Sequence, residues 1–189
     1  MALTVPPQTD APTVTCTIDG IEVSVPNGTT IYTAAKQAGI EIPVLCHDER
    51  YDPVGVCRMC AVDVGGRVLA AACVRPCEDG MEVTTGGATV EKQRAVLTEL
   101  LMSDQPDEDP KETTTGDNLL LDLARRFDTG HAARLPQARG RGVDDSNPVI
   151  SVNHDACILC DRCVRATTSR ATMSSAAPAR ATRRTSRST

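Results

Sequence analysis

Seven of the nine cysteines in this 189-residue chain fall into two spaced groups, and sulfur at those spacings is metal-binding chemistry. The first group runs Cys46, Cys57, Cys60, Cys73, a C-x10-C-x2-C-x12-C pattern. Soft thiolates select iron–sulfur clusters, and four of them hold a [2Fe–2S] rhomb. Four thiolates also suit a structural zinc ion, whose sites usually carry two short knuckles. Here Cys57-x2-Cys60 is one clean knuckle. Cys73-x3-Cys77 can be read as a second, which keeps a zinc-stabilised interaction module as the alternative. A Rieske centre would need two histidines at matching positions, and His47 has no second partner. The stretch VGVCRMC around Cys57 and Cys60 is rich in small residues that let backbone N–H groups turn toward the sulfurs. Gly55 is the natural hinge of that turn.

The second group, Cys157-x2-Cys160-x2-Cys163 in NHDACILCDRCVRA, opens the C-x2-C-x2-C-x3-C arrangement of bacterial ferredoxins. Its fourth position is Thr167, and no second set of cysteines follows. The expectation is therefore an incomplete [4Fe–4S] site, since three ligands without the rest of a fold offer little preorganisation. Cys16 and Cys77 lie outside both groups. No Gly-rich nucleotide loop stands out, nor any Ser/His/Asp or Cys/His set. His131 and His154 read as surface histidines. The chain alone is expected to turn over no substrate.

The elements that must position the first group can be read from pattern. Val14, Cys16 and Ile18 share one face of an alternating run, Asp19-Gly20 turns the chain, and Ile21, Val23 and Val25 follow, a hairpin signature. Thr29 or Thr30 caps a helix over 30–38 that stops at Gly39. A long loop spans 46–57. A second hairpin is expected from 60–64 and 67–72, turning at Gly65-Gly66, and a strand over 81–84 closes the unit. This order predicts an α+β protein with a β-grasp domain. An amphipathic helix is expected over 91–102 with Val96, Leu97, Leu100 and Leu101 on its apolar side, and another over 118–127. The expected organisation is a tail (1–12), a [2Fe–2S] ferredoxin-type domain (13–88), a helical segment (89–130), a linker (131–148), the start of a ferredoxin segment (149–166) and a basic tail (167–189).

Aromatics are scarce, with one Phe, two Tyr and no Trp, so the core must be built from aliphatic side chains. The net charge of −5 argues against nucleic acid or an anionic membrane as partner. No apolar run is long enough to span a bilayer. The N-terminal MALTVPPQTDAP lacks the basic and apolar regions of a signal peptide. A cytoplasmic location is expected, where cysteines serve more often as ligands than as disulfides.

IPVLCHDERYDPVGVCRMCAVDVGG, followed by LAAACVRPCEDGMEV, resembles the N-terminal iron–sulfur region shared by the 75-kDa (G-type) chain of complex I, the NADH dehydrogenase, by NAD-linked hydrogenase subunits and by NAD-dependent formate dehydrogenase α chains. The likeness runs over residues 13–166. It implies Cys46, Cys57, Cys60 and Cys73 as [2Fe–2S] ligands, excludes Cys77, and makes Cys16 a core residue. It also implies an electron-transfer role beside a flavin/NAD-binding subunit and a molybdopterin or other catalytic domain. The family often continues with a [4Fe–4S] site spaced H-x3-C-x2-C-x5-C. Here those positions hold Gln105, Asp109, Glu112 and Asn118, none of them a thiolate or imidazole, so no cluster is expected there. That departure, with DDSNPVI before the later cysteines, leans toward the formate dehydrogenase type. The tail after Thr167 is almost wholly Thr, Ser, Arg, Ala and Pro. Read in a shifted frame with GC-rich codons, it yields a string similar to the family's continuation, so a truncating frameshift is expected, with a non-functional truncated fragment as a further alternative; sequencing the locus tests it.

Overall fold

The structure is a computed structural model that describes residues 12–106, 110–129 and 140–170. The expected N-terminal tail, most of the linker with His131, Asp109, and the stretch from 171 lie outside the described residues.

Strands β1 (Thr13–Ile18) and β2 (Ile21–Pro26) form the first hairpin in the register Ile18 with Ile21. Asp19 and Gly20 both take positive φ, 49° and 82°, as a two-residue turn matched to strand twist requires. Alternation along β1 sends Cys16 and Ile18 into the core. Helix α1 (Ile31–Gln37) starts at Thr30, whose hydroxyl accepts the Thr33 N–H at 3.3 Å, and buries Ile31, Ala34 and Ala35.

The second hairpin is shorter than the pattern predicts. Its ladder is only β3 (Ala61–Val62) against β4 (Ala70–Ala71). The reason is Asp63, which leaves β4 and exchanges two backbone bonds with Thr84, at 2.9 and 2.8 Å. Its carboxylate also accepts the Gly65 N–H at 2.8 Å, and the chain bends through Gly65-Gly66, where the turn is expected. Strand β5 (Glu82–Val83) runs parallel to β1 and gives a mixed sheet of order β2-β1-β5. One core, centred on Ile18, Ile31, Val62 and Val83, lies between this sheet, α1 and the short ladder.

Helix α2 (Ala88–Met102) begins three residues before the expected start, after Gly87. Its inner face also differs in part from the expected one. Of the four expected apolar residues, Leu97 and Leu101 pack inward, whereas Val96 and Leu100 are about half exposed; Val90, Arg94, Thr98 and Met102 are the buried set. That set repeats every four residues, so the helical period is right and the face is rotated. Short helix α3 (Pro110–Thr114) is followed by α4 (Leu119–Arg126). The Asn118 side chain caps α4, accepting N–H groups of Leu120 and Leu121 at 3.0 and 3.3 Å. Leu120, Leu123 and Ala124 form a second core with Leu45, Met59 and Met102, so this helix pair braces the cysteine loop. A small hairpin, β6 (Val143–Asp144) with β7 (Val152–Asn153), and helix α5 (Arg162–Arg170) complete the described chain. The first strand of this hairpin lies in the expected linker and the second in the expected ferredoxin segment. Among the described residues no helix is long and apolar enough to cross a membrane.

Candidate metal centre

Cys46 closes the segment after α1, Cys57 and Cys60 come from the loop before β3, and Cys73 lies two residues past the end of β4. Cys46, Cys60 and Cys73 are at most 1% exposed, and Cys57 is half-buried. Their thiols form one connected set of neighbours: Cys46 interacts with Cys57 and Cys73, and Cys73 with Cys60. Two left-handed residues shape the loop between them, Gly55 at φ 63° and Arg58 at φ 57°. A Cβ at Gly55 would stand 3.2 Å from a Val74 methyl, so the close approach as well as the φ calls for glycine. Arg58 holds its strained place by donating from Nη2 to the Leu69 carbonyl at 2.8 Å.

Backbone donors converge on the sulfurs. The Cys46 N–H meets Cys57 Sγ at 3.4 Å. The backbones of Cys57 and Val56 favour the ionised Cys46 sulfur, and that of Met59 the Cys57 sulfur. Hydrogen bonds from Cys57 and Cys73 pull the Cys46 thiol well down, while crowding against Cys46 pushes Cys57 and Cys73 up. Four ionised thiols this close repel one another, and a cationic metal centre placed among them reverses that penalty. Buried sulfurs ringed by N–H donors are the surroundings a negatively charged iron–sulfur cluster needs. Among the described residues no three His, Cys, Asp or Glu side chains close around a single-ion site.

Cys77 is not in this set. It lies 1% exposed against Cys16, and burial together with that neighbouring thiol raises it to about 12. In the second sequence group, Cys157 and Cys160 are partly exposed and Cys163 is exposed. At the positions of the replaced histidine–cysteine site, Asn118 caps α4 and Glu112 pairs with Arg125. Gln105 Nε2 and Glu112 Oε2 are buried there without a hydrogen-bond partner. His47 stacks edge-on against Tyr32 at 4.5 Å, and burial lowers its basicity.

Two residues around the loop escape sequence reasoning. Arg94 reaches from α2 to the carbonyls of Met59 and Ala61. Arg165 reaches from α5 to the carbonyls of Cys46 and Asp52. The one available signal for Arg94 was its register with Val90 and Thr98. Nothing in the sequence distinguishes Arg165 from its basic neighbours.

The fold and the sulfur set together define a class, the [2Fe–2S] ferredoxin-like electron carriers. Residues 11–87 match the family described as a 2Fe-2S iron-sulfur cluster binding domain. The chain is 36% identical over 170 residues to the G-type subunit of the NADH-quinone oxidoreductase of Streptomyces coelicolor, covering 87% of this chain and 20% of that one. It is also 36% identical over 151 residues to the NADH-ubiquinone oxidoreductase 75 kDa subunit of Reclinomonas americana, covering 78% and 22%. The crystal structure of an NAD+-reducing [NiFe]-hydrogenase in the H2-reduced state superimposes with a TM-score of 0.75 at 32% identity, covering 83% of this chain and 67% of that one. The chain belongs to this iron–sulfur family, that of the 75-kDa NADH dehydrogenase chains and the NAD-linked hydrogenases, and is a [2Fe–2S] electron-transfer module. It spans about one fifth of the length of the curated relatives it matches. The zinc alternative is not favoured.

Proposed function

We propose that Cys46, Cys57, Cys60 and Cys73 are the ligands of the [2Fe–2S] cluster, and that the chain relays single electrons between a flavin- and NAD-bearing subunit and a catalytic partner. The observation that carries this reading is the convergence of four buried or half-buried thiols with backbone N–H donors aimed at them. When bound, the cluster supplies a one-electron couple. The chain's own residues then do three things. The sulfurs hold the irons, the N–H groups of Cys46, Val56, Cys57 and Met59 offset the negative charge, and the core packed around Cys60 and Cys73 keeps water away.

The surrounding domain is read as a β-grasp unit, and residues 149–166 as the opening of a bacterial-ferredoxin-like segment. Cys157, Cys160 and Cys163 would supply three ligands of an incomplete [4Fe–4S] site. The catalytic partner is read as a molybdopterin domain or its counterpart in the hydrogenase and NADH dehydrogenase types. Gln105 and Glu112, which replace ligands of the second site, support the formate dehydrogenase lean. The cell compartment in this reading is the cytoplasm.

The full chain, purified without oxygen, is expected to contain iron and labile sulfide in equal amounts and to give a rhombic EPR signal on reduction. Cys73→Ser should abolish that signal and Cys77→Ser should leave it. Zinc without sulfide would sink the reading. The reverse response of Cys73 and Cys77 would show that the fourth ligand is misassigned.

A further inference from the structure

Among the described residues, the largest fully buried side chain is a charged one. Arg94 is 2% exposed in the middle of α2, facing the cysteine loop. Its Nε donates to the Met59 carbonyl at 3.2 Å and its Nη2 to the Ala61 carbonyl at 2.8 Å. These are the residues on either side of Cys60. The guanidinium therefore grips the backbone immediately before and after one sulfur. Its remaining nitrogen, Nη1, meets Glu91 Oε1 at 3.2 Å, and that carboxylate is 43% exposed. Thr98 hydroxyl donates to the Arg94 carbonyl at 2.8 Å.

Holding a guanidinium in a core is costly, and a position that served packing alone would be better filled by an aliphatic residue. The cost is offset here by three directed bonds, two of them to buried carbonyls. Lysine cannot replace that planar fork, because its ammonium is a point charge. The placement has a second consequence. A permanent positive charge beside Cys60 favours the more negative, reduced state of whatever that sulfur ligates. Burial lowers the proton affinity of Arg94, and its attraction to Glu91 and to the Cys60 sulfur works the other way.

We propose that Arg94 is a positioning residue for the electron-transfer centre: it clamps the backbone on both sides of Cys60 and supplies the buried positive charge that raises the centre's reduction potential. This rests on the ligand assignment above, in which Cys60 is a ligand.

The test uses the full chain loaded with iron and sulfide, its potential read by EPR redox titration and its cluster retention by iron release to a chelator. Arg94→Gln removes both clamp and charge. It should shift the one-electron equilibrium about tenfold toward the oxidised form, about 59 mV downward. Arg94→Lys keeps the charge and loses the fork; it should move the potential by under about half as much while releasing iron several times faster. Glu91→Gln leaves the clamp in place and removes the counter-charge, and should move the potential upward. A loaded Arg94→Gln protein with wild-type potential and wild-type iron release would overturn the proposal. Should Arg94→Gln fail to load, the other two variants decide, and wild-type values in both would overturn it equally. Cys57→Ser run alongside separates the two claims. If it abolishes the signal while the Arg94 series changes nothing, the ligand assignment stands and the role of Arg94 falls.

Discussion

Around Cys46–Cys73 the sulfurs are largely enclosed: three are at most 1% exposed, two cores pack around the loop, and the Cys46 N–H points at the Cys57 sulfur. Around Cys157–Cys163 a similar density of cysteine stands at the surface, with Cys163 on the outer side of α5 and Leu159 71% exposed. Both loops use left-handed residues between cysteines, Arg58 in the first and Leu159 and Asp161 in the second. Such a residue costs about 1–2 kcal/mol. In the first loop, the Arg58 bond to Leu69 and the packing of Met59 offset that cost without any metal. In the second, Ile158 packs against the second core, but Leu159 buries little. Cysteine spacing alone therefore does not make a centre. A centre also needs a shell that holds the loop's backbone in place before the metal arrives.

The sharpest way to break this comparison is to remove one sulfur from each side. Cys57→Ser should abolish the [2Fe–2S] EPR signal and the labile sulfide, because it removes half of the shortest chelating step. Cys163→Ser should leave both unchanged. Equal loss in the two variants, measured on the full chain, would show that the exposed group also holds the centre and that the contrast in burial is misleading.

The enclosed half was largely legible in the sequence, for local reasons. Asp19-Gly20 between alternating runs leaves few options but a tight hairpin, Thr29-Thr30 offers a cap of which Thr30 is the one used, and Gly55 ahead of Cys57 marks the loop's hinge. What was not legible depends on partners far along the chain. Asp63 leaves its expected strand because Thr84 offers a ladder position, a contact between segments twenty-one residues apart. The inner face of α2 is only partly legible: Leu97 and Leu101 pack inward as their pattern suggests, but the loop's carbonyls at Met59 and Ala61 select a buried donor while Val96 and Leu100 stay half exposed. Hydrophobicity cannot report an arginine whose burial is justified by acceptors elsewhere. The hairpin β6–β7 has two-residue strands whose sequence carries no alternation to read.

A second test asks how far the loop's backbone, apart from its sulfurs, sets the difference. Gly20 and Gly55 are both left-handed, but a Cβ at Gly20 meets nothing within 4 Å whereas one at Gly55 presses on Val74. Gly20→Ala should cost about 1 kcal/mol of backbone strain. Gly55→Ala should cost about 2 kcal/mol, a melting shift on the order of 10 °C, and should also lower cluster occupancy. Equal melting shifts with full occupancy in both proteins would mean that the loop tolerates a change of shape and that a preorganised backbone is not what separates the two cysteine groups.

The smallest expected effect concerns the tie between the two regions. Arg165 donates from Nη1 to the Asp52 carbonyl at 2.8 Å and from Nη2 to the Cys46 carbonyl, with its guanidinium 5.9 Å from the Tyr51 ring centre. Arg162 adds a 3.0 Å pair to Asp48. These contacts fasten α5 onto the cysteine loop from outside, by charge and hydrogen bonding, whereas Arg94 grips the same loop from within the core. Arg165→Ala removes two hydrogen bonds from a charged donor, worth about 1.5 kcal/mol net at this half-exposed position, or roughly a tenfold rise in local opening. Hydrogen exchange should show α5 losing protection by that factor while β1, α1 and the [2Fe–2S] EPR signal stay as they were. The asymmetry follows from which side depends on the other: the loop keeps Arg94 and two cores when α5 leaves, but α5 keeps little beyond the Ile158 contact and the Arg162 pair. Loss of the EPR signal together with α5 protection would show that the two regions fold as one unit, with the exposed cysteine segment acting as part of the shell.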